Sequence, residues 1–206
     1  MRRGWTCLIL AASALLLSGC ATVMRVDNEV RSFPQWPDNA PQKGERFAFE
    51  RLPSQQNAGL QPLQDAMERA VSDALKAWGL QLPSGNEGVR WLVQVTASGQ
   101  RLPRAPWDPD PWYRSGWYLS GGVGGRHGGV TLGFPLVALD SPYYLRELTV
   151  VVRDGASGRV VFESKSRHDG RWPDSPALWA AMAQAAVADF PRPAAGARQI
   201  NIDIPR

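Results

Sequence analysis

The sequence predicts an α+β domain, a mostly antiparallel sheet with two amphipathic helices packed on one face. Three observations carry this expectation. Between Leu60 and Trp78, the residues Leu60, Leu63, Met67, Val71, Ala74, Leu75 and Trp78 recur every three or four positions, the period of a helix with one apolar stripe. In YYLRELTVVVRDGASGRVVFESKSR, Leu148, Val150 and Val152 share one face, Asp154 to Gly158 supply a turn, and Val160 and Phe162 continue on a return strand, which makes a hairpin. A second apolar helical pattern then runs through Trp179, Met182, Ala183, Ala186, Val187 and Phe190. Alternating hairpins belong to antiparallel sheets with one wet face, and two helices suffice to cover the other.

The elements follow in order. Residues 20–44 read as a tether, because they hold several prolines and polar residues and no sustained period. Phe33 and Trp36 within it are costly to leave in water and serve equally well as cover for a core edge or as a contact surface. A single domain is expected over residues 45–206. RFAFERL alternates Phe47 and Phe49 and reads as its first strand. The helix to Trp78 has Pro62 in its first turn and Gly79 for a left-handed stop, with Asp65, Glu68, Arg69, Ser72, Asp73 and Lys76 on its polar side. WLVQVTASGQRL, residues 91–102, is a second strand. Residues 116–119 and 130–134 are weaker strand candidates around a glycine-rich link. Ser175 can cap the second helix, Pro176 suits its first position and Pro191 stops it. ARQINIDIPR alternates Ile200, Ile202 and Ile204 against Asn201 and Asp203, a short half-buried terminal strand.

The N-terminus carries its own signals. Arg2 and Arg3 precede an apolar run from Leu8 to Leu17, broken only by Ser13, and small residues follow, the order of a secretory signal peptide. The run is shorter than the ~20 residues a permanent transmembrane helix needs. Leu17-Ser18-Gly19-Cys20 resembles the bacterial lipobox. That resemblance implies removal of residues 1–19, a diacylglycerol on the Cys20 sulfur, and a fatty-acyl chain such as palmitate on its amino group. Each buried CH2 contributes ~0.8 kcal/mol, and one chain alone binds reversibly, so two or three on one residue hold a domain at a membrane.

Composition narrows the partners. The formal charge of +4 includes Arg2 and Arg3, so the processed chain is nearly balanced. It has no basic run and only Lys43, Lys76 and Lys165 as lysines, which argues against a nucleic-acid partner. Cys7 departs with the leader and Cys20 is expected to be acylated, leaving no thiol for a disulfide, a nucleophile or a zinc site.

The lipobox, the helix ending at Gly79 and the hairpin LTVVVRDGASGRVVFESKSR together resemble the bacterial lipoproteins grouped as domain of unknown function 4136. In that family a strand runs into an Asp-x-x-x-Gly-like turn, then into a strand ending at an aromatic position, here Phe162, and a closing helix follows. The likeness covers roughly residues 45–190. It implies an α+β lipoprotein of the cell envelope and carries over no catalytic residue. Gram-negative lipoproteins with Asp after the cysteine tend to stay in the inner membrane. Ala21 stands there instead, which implies the outer membrane, facing the periplasm.

Two segments and two histidines hold the residue types that could carry chemistry. In YLSGGVGGRHGGVTLGF, Gly122 and Gly124 lack the third glycine of a dinucleotide loop, since His127 occupies that position, and no Gly-Lys-Ser/Thr follows. The stretch 120–130 reads as a glycine hairpin or loop. In PWDPDPWYRSGWY, Asp108 and Asp110 sit too close in one proline-locked loop to flank a glycosidic bond, and they are too few to ligate calcium. Trp107, Trp112, Tyr113, Trp117 and Tyr118 are the candidate ligand or partner contacts, because flat aromatic faces stack on sugars and anchor proteins. Folding back over the sheet is their competing role. His127 and His168 lie in polar or glycine-rich surroundings and read as solvated or hydrogen-bonded rather than metal ligands. No nucleophile elbow or metalloprotease spacing occurs. The expectation is therefore a non-enzymatic adaptor or assembly factor with no cofactor or metal, lipid-anchored at Cys20, with an envelope protein as partner. The alternative is a glycan- or small-ligand-binding lipoprotein that uses the tryptophan-rich loop 106–118.

Overall fold

Val23–Pro34 form a strand, β1, in which Met24, Val26, Asn28 and Val30 are buried while Arg25, Asp27, Glu29 and Arg31 are exposed. The tether expected over residues 20–44 is thus corrected: most of that stretch belongs to the domain. The alternation is complete once Asn28 is counted as an inward residue. Its side chain is fully satisfied, donating to the carbonyls of Val26 and Ile200 and accepting from the Ser166 hydroxyl, so a polar group is tolerated inside. The prolines that suggested a linker, Pro34 and Pro41 among them, fall at the end of the strand and after it, where no ladder donor is lost.

The computed structural model describes residues 23–36, 40–85, 87–108, 118–125, 128–135 and 142–205, with backbone alone at 118–125 and 128–135. After β1 come β2 (Arg46–Phe49), α1 (Gln61–Trp78), β3 (Val89–Leu102), the strands β4 (Tyr118–Gly125) and β5 (Gly128–Pro135), β6 (Tyr143–Asp154), β7 (Val160–Gly170), α2 (Pro176–Ala186) and β8 (Arg198–Pro205). Six strands make one sheet in the order β2-β3-β6-β7-β1-β8, and β4 with β5 forms a separate two-stranded ribbon. The ribbon agrees with the weak strand signals around the glycine-rich link. Every pair in the large sheet is antiparallel except β2 with β3, so the α+β class with a mostly antiparallel sheet holds.

Both helices lie over the same apolar surface. Val26, Val93, Val95, Leu148, Val150 and Phe162 meet Met67, Val71 and Leu75 of α1 and Leu178, Trp179 and Met182 of α2 in one core. Trp36 stacks on Phe162 at 5.6 Å, meets Trp91 and Phe190 edge-on and donates to the Pro191 carbonyl, so it is core cover; Phe33 is half exposed. Gly79 ends α1 at φ +124, its N–H bonded to the Leu75 and Lys76 carbonyls. A Cβ there would sit 2.8 Å from Lys43 Cγ, so the position needs glycine for shape as well as for torsion. Ser175 caps α2 by accepting from the Leu178 N–H.

Two readings of the helices need adjusting. Glu68 and Ser72, expected on the wet side of α1, are buried. Glu68 turns inward because Arg51 clamps it through two bonds of 2.8 and 2.6 Å, while Gln64 bonds both Glu68 and the Val95 carbonyl. The Glu68 hydrogen bond, before any other cause, holds the Arg51 guanidinium above its ordinary pKa. The second helix stops at Ala186 rather than at Pro191. Val187 leaves helical torsions, and tight turns through Phe190 swing that ring against Trp36, Trp78 and Phe162.

Candidate functional site

The strand registers define one end of the sheet. Leu102 of β3 pairs with Tyr143 of β6, and Tyr144 pairs with Gly170 of β7. β1 runs against β7 with Glu29 opposite Arg167, so its N-terminal end points the same way, with Val23 opposite Pro205 of β8. The chain enters β1 at this end. It also leaves β3 at Leu102 and re-enters β6 at Tyr143 here, so both ends of the connection that holds the tryptophan-rich and glycine-rich sequences lie at this end of the sheet.

Polar side chains brace this end from within. Arg146, with no exposed side-chain surface, donates to Asp174 at 2.5 Å and to the Trp172 carbonyl, with its guanidinium 4.8 Å from the Tyr144 ring centre. It thereby pins the link between β7 and α2 to β6. His168 stands opposite Arg146 in the ladder and is buried, with Nδ1 2.8 Å from the Asp27 carbonyl oxygen. A carbonyl only accepts, so Nδ1 carries the proton and donates. His168 Nε2 and Arg146 Nη1 have no protein partner. The Tyr143 hydroxyl donates to Asp169, and Arg171 holds Asp108 at 2.8 Å.

These contacts mount Trp107. Its ring meets the buried Tyr143 ring edge-on at 4.9 Å, yet 67% of the residue stays exposed. The ring is therefore oriented by the sheet but not covered by it, the arrangement of a contact surface rather than of core. Trp172, at the same end, is 45% exposed. Tyr118 opens β4, where only the backbone is described. Cys20, Trp112, Tyr113, Trp117, Asp110 and His127 lie outside the described residues. The structure brings Asp108 to Arg171, so that carboxylate serves as a structural tie.

Burial, first, and then the Asp169 hydrogen bond and charge push the Tyr143 phenol well above its usual range. A phenol whose folded pKa is raised contributes fully below its unfolded value near ~10, and that contribution is lost as pH climbs through the folded value. Stability should therefore decline in alkali. Tyr143→Phe should flatten the decline above about pH 10, measured as urea midpoints; an unchanged slope would refute the assignment.

A groove of ≈ 390 Å³ lies between the start of α1 and the start of α2, lined by Leu60, Leu63, Met67, Gly99, Asp174 and Trp179. The Trp179 indole N–H is buried without a protein partner. A Cβ at Gly99 would make only ordinary contact with the Trp179 ring, at 3.8 Å, and with Asp174, at about 4.0 Å. No sequence spacing announced this groove, because its lining comes from four separated segments. Trp172 could have been noticed as a tryptophan between Gly170 and Pro173, in a stretch with no helical or strand period.

Fold and site together define a class: a one-sided α+β sheet domain that carries an aromatic-bearing insertion where its chain enters. The chain belongs to the family described as Domain of unknown function (DUF4136), whose model matches residues 30–192. A search of curated proteins finds no match. Among solved structures, a PDZ domain protein from Parabacteroides distasonis is similar with a TM-score of 0.50 and 12% identity, over 93% of this chain and 41% of that one. This chain thus spans about two fifths of that protein's length. The PelC dodecamer from Paraburkholderia phytofirmans is similar in one crystal form with a TM-score of 0.41 and 10% identity, over 78% of this chain and 95% of that one. A second form gives 0.43 and 9%, over 77% and 96%.

Proposed function

We propose that this protein is an outer-membrane lipoprotein, anchored through acyl chains on Cys20 and facing the periplasm, that works as a non-enzymatic adaptor or assembly factor of the cell envelope. The observation that supports the adaptor role is the strand β8. It pairs with β1 over all eight of its residues and, among the described residues, has no strand on its other side. An eight-residue edge without internal proline or lysine presents unpaired backbone groups, the template for adding a strand from a partner. Ile200, Ile202 and Ile204 are half-buried, and Ile202 and Ile204 pack against the core, so the strand is held in place on that face.

The test is a photo-crosslinking residue at Asn201 or Gln199, both exposed on β8, compared with one at Asp73, exposed on α1. In intact envelopes the β8 positions should give one discrete protein adduct and Asp73 none. Equal labelling from all three positions, or none from β8, would contradict the adaptor role.

A second reading, glycan or small-ligand binding through the loop 106–118, is favoured by the exposed, propped ring of Trp107. It requires binding to purified cell-wall fragments that Trp107→Ala abolishes.

A further inference from the structure

We propose that the end of the sheet bearing Val23, Leu102, Tyr143 and Gly170 lies against the lipid bilayer, with Trp107 and Trp172 at headgroup level. The inference rests on the acylation of Cys20 and adds to it an orientation and a contact surface.

Chain length makes the first argument. Cys20 precedes Val23, the first residue of β1, by three positions, and three residues reach at most about 10 Å. A spacer of twenty-odd residues would have let the domain tumble freely far from the anchor. A strand paired with β8 from Val23 onward and with β7 from Glu29 onward, and starting this close to the lipid, does not.

Register makes the second. Glu29 stands opposite Arg167, the last pair of the β1–β7 ladder, and carrying that register four residues on sets Arg25 level with Arg171, just past the last residue of β7. Leu102 and Tyr143 lie at that same level, since Tyr144 pairs with Gly170. β1 and β8 continue two residues further, to Val23 and Pro205. At a rise of about 3.3 Å per residue they project roughly 7 Å past the β3–β6–β7 rim. The strand that carries the anchor is thus the foremost part of this end, and the rim with Trp107 and Trp172 sits just behind it.

Surface chemistry makes the third. Val23, Trp107 and Trp172 are 48%, 67% and 45% exposed at this end. Tryptophan prefers the membrane interface, where its ring is half in hydrocarbon and its N–H stays wet. Arg101, the penultimate residue of β3, is exposed and offers a cation to the phosphate layer, while Arg171 is more than half exposed but paired with Asp108. The polar bracing at Arg146, His168 and Tyr143 stiffens the rim. The opposite end carries the Asp154–Gly158 turn, whose carboxylate is held below its ordinary range, chiefly by the Ser157 N–H, and so stays charged.

The processed, acylated protein has no other cysteine, so single reporters can be placed by Arg101→Cys and Trp107→Cys at the near end and by Ala156→Cys at the far turn, all exposed positions. Each labelled, acylated protein is reconstituted into phosphatidylethanolamine–phosphatidylglycerol vesicles containing a headgroup-nitroxide lipid. Fluorophores at 101 and 107 should be quenched several-fold more than the one at 156. Protein that floats with the vesicles but quenches equally at all three positions, or most at 156, overturns the orientation alone. Protein that fails to float, with a mass lacking acyl groups, overturns the anchor and the orientation together.

Discussion

Val26→Asp should abolish the folded state. Val26 is fully buried on β1, inside the six-stranded sheet, against the core that α2 closes. A carboxyl group there costs several kcal/mol even after it takes up a proton, because it replaces a valine packed in the apolar core. Domains of this size are stable by only about 5–15 kcal/mol, so the substitution removes most or all of that margin. The same change at Val23, which is half exposed at the strand's free end, should cost no more than about 1 kcal/mol of stability. A thermal melt followed by circular dichroism separates the two cases. If Val26→Asp melts like the parent, β1 is a tether after all and the sheet order is wrong.

Cys20→Ser should remove the protein from the membrane fraction without affecting its fold. An acylated Cys20 contributes ~0.8 kcal/mol per buried CH2 over two or three chains, far more than exposed tryptophans supply. Among the described residues no helix is long and apolar enough to cross a bilayer. The serine variant keeps every residue of β1, so its melt should match that of the parent. Loss from the detergent phase with an unchanged melt is the expected pair of results. Retention of the serine variant in the membrane fraction would mean that another device holds the protein.

Much of the fold was legible in the sequence, and the failures share a cause. α1, the β6–β7 hairpin, the Ser175 cap and the terminal strand announce themselves through local period and turn chemistry. β1 escaped because one inward position is Asn28, whose partners Ser166 and Ile200 lie far along the chain. Glu68 was placed on the wet side of α1 for the same reason, since Arg51 is what turns it inward. The parallel pairing of β2 with β3 has no local signature either. At the site, Trp107 could be singled out from composition and loop context. The Arg146–Asp174 tie, the His168–Asp27 contact and the groove under Trp179 join segments that no spacing connects.

The β1 result also sharpens what the lipobox implies. If Cys20 is acylated as proposed, a strand that starts three residues later would bring the membrane to one identified end of the sheet, whereas a long linker would leave every face available. Under the two proposals the edge of β8 and the rim at Trp107 would be separate surfaces, one for a protein strand and the other for lipid.

Intact-mass and peptide mass spectrometry of the processed N-terminus addresses the anchor without any variant. The account requires a chain beginning at Cys20 whose first residue carries a diacylglycerol and an N-linked acyl chain. A mature terminus at any other residue, or an unmodified sulfhydryl on Cys20, would contradict it.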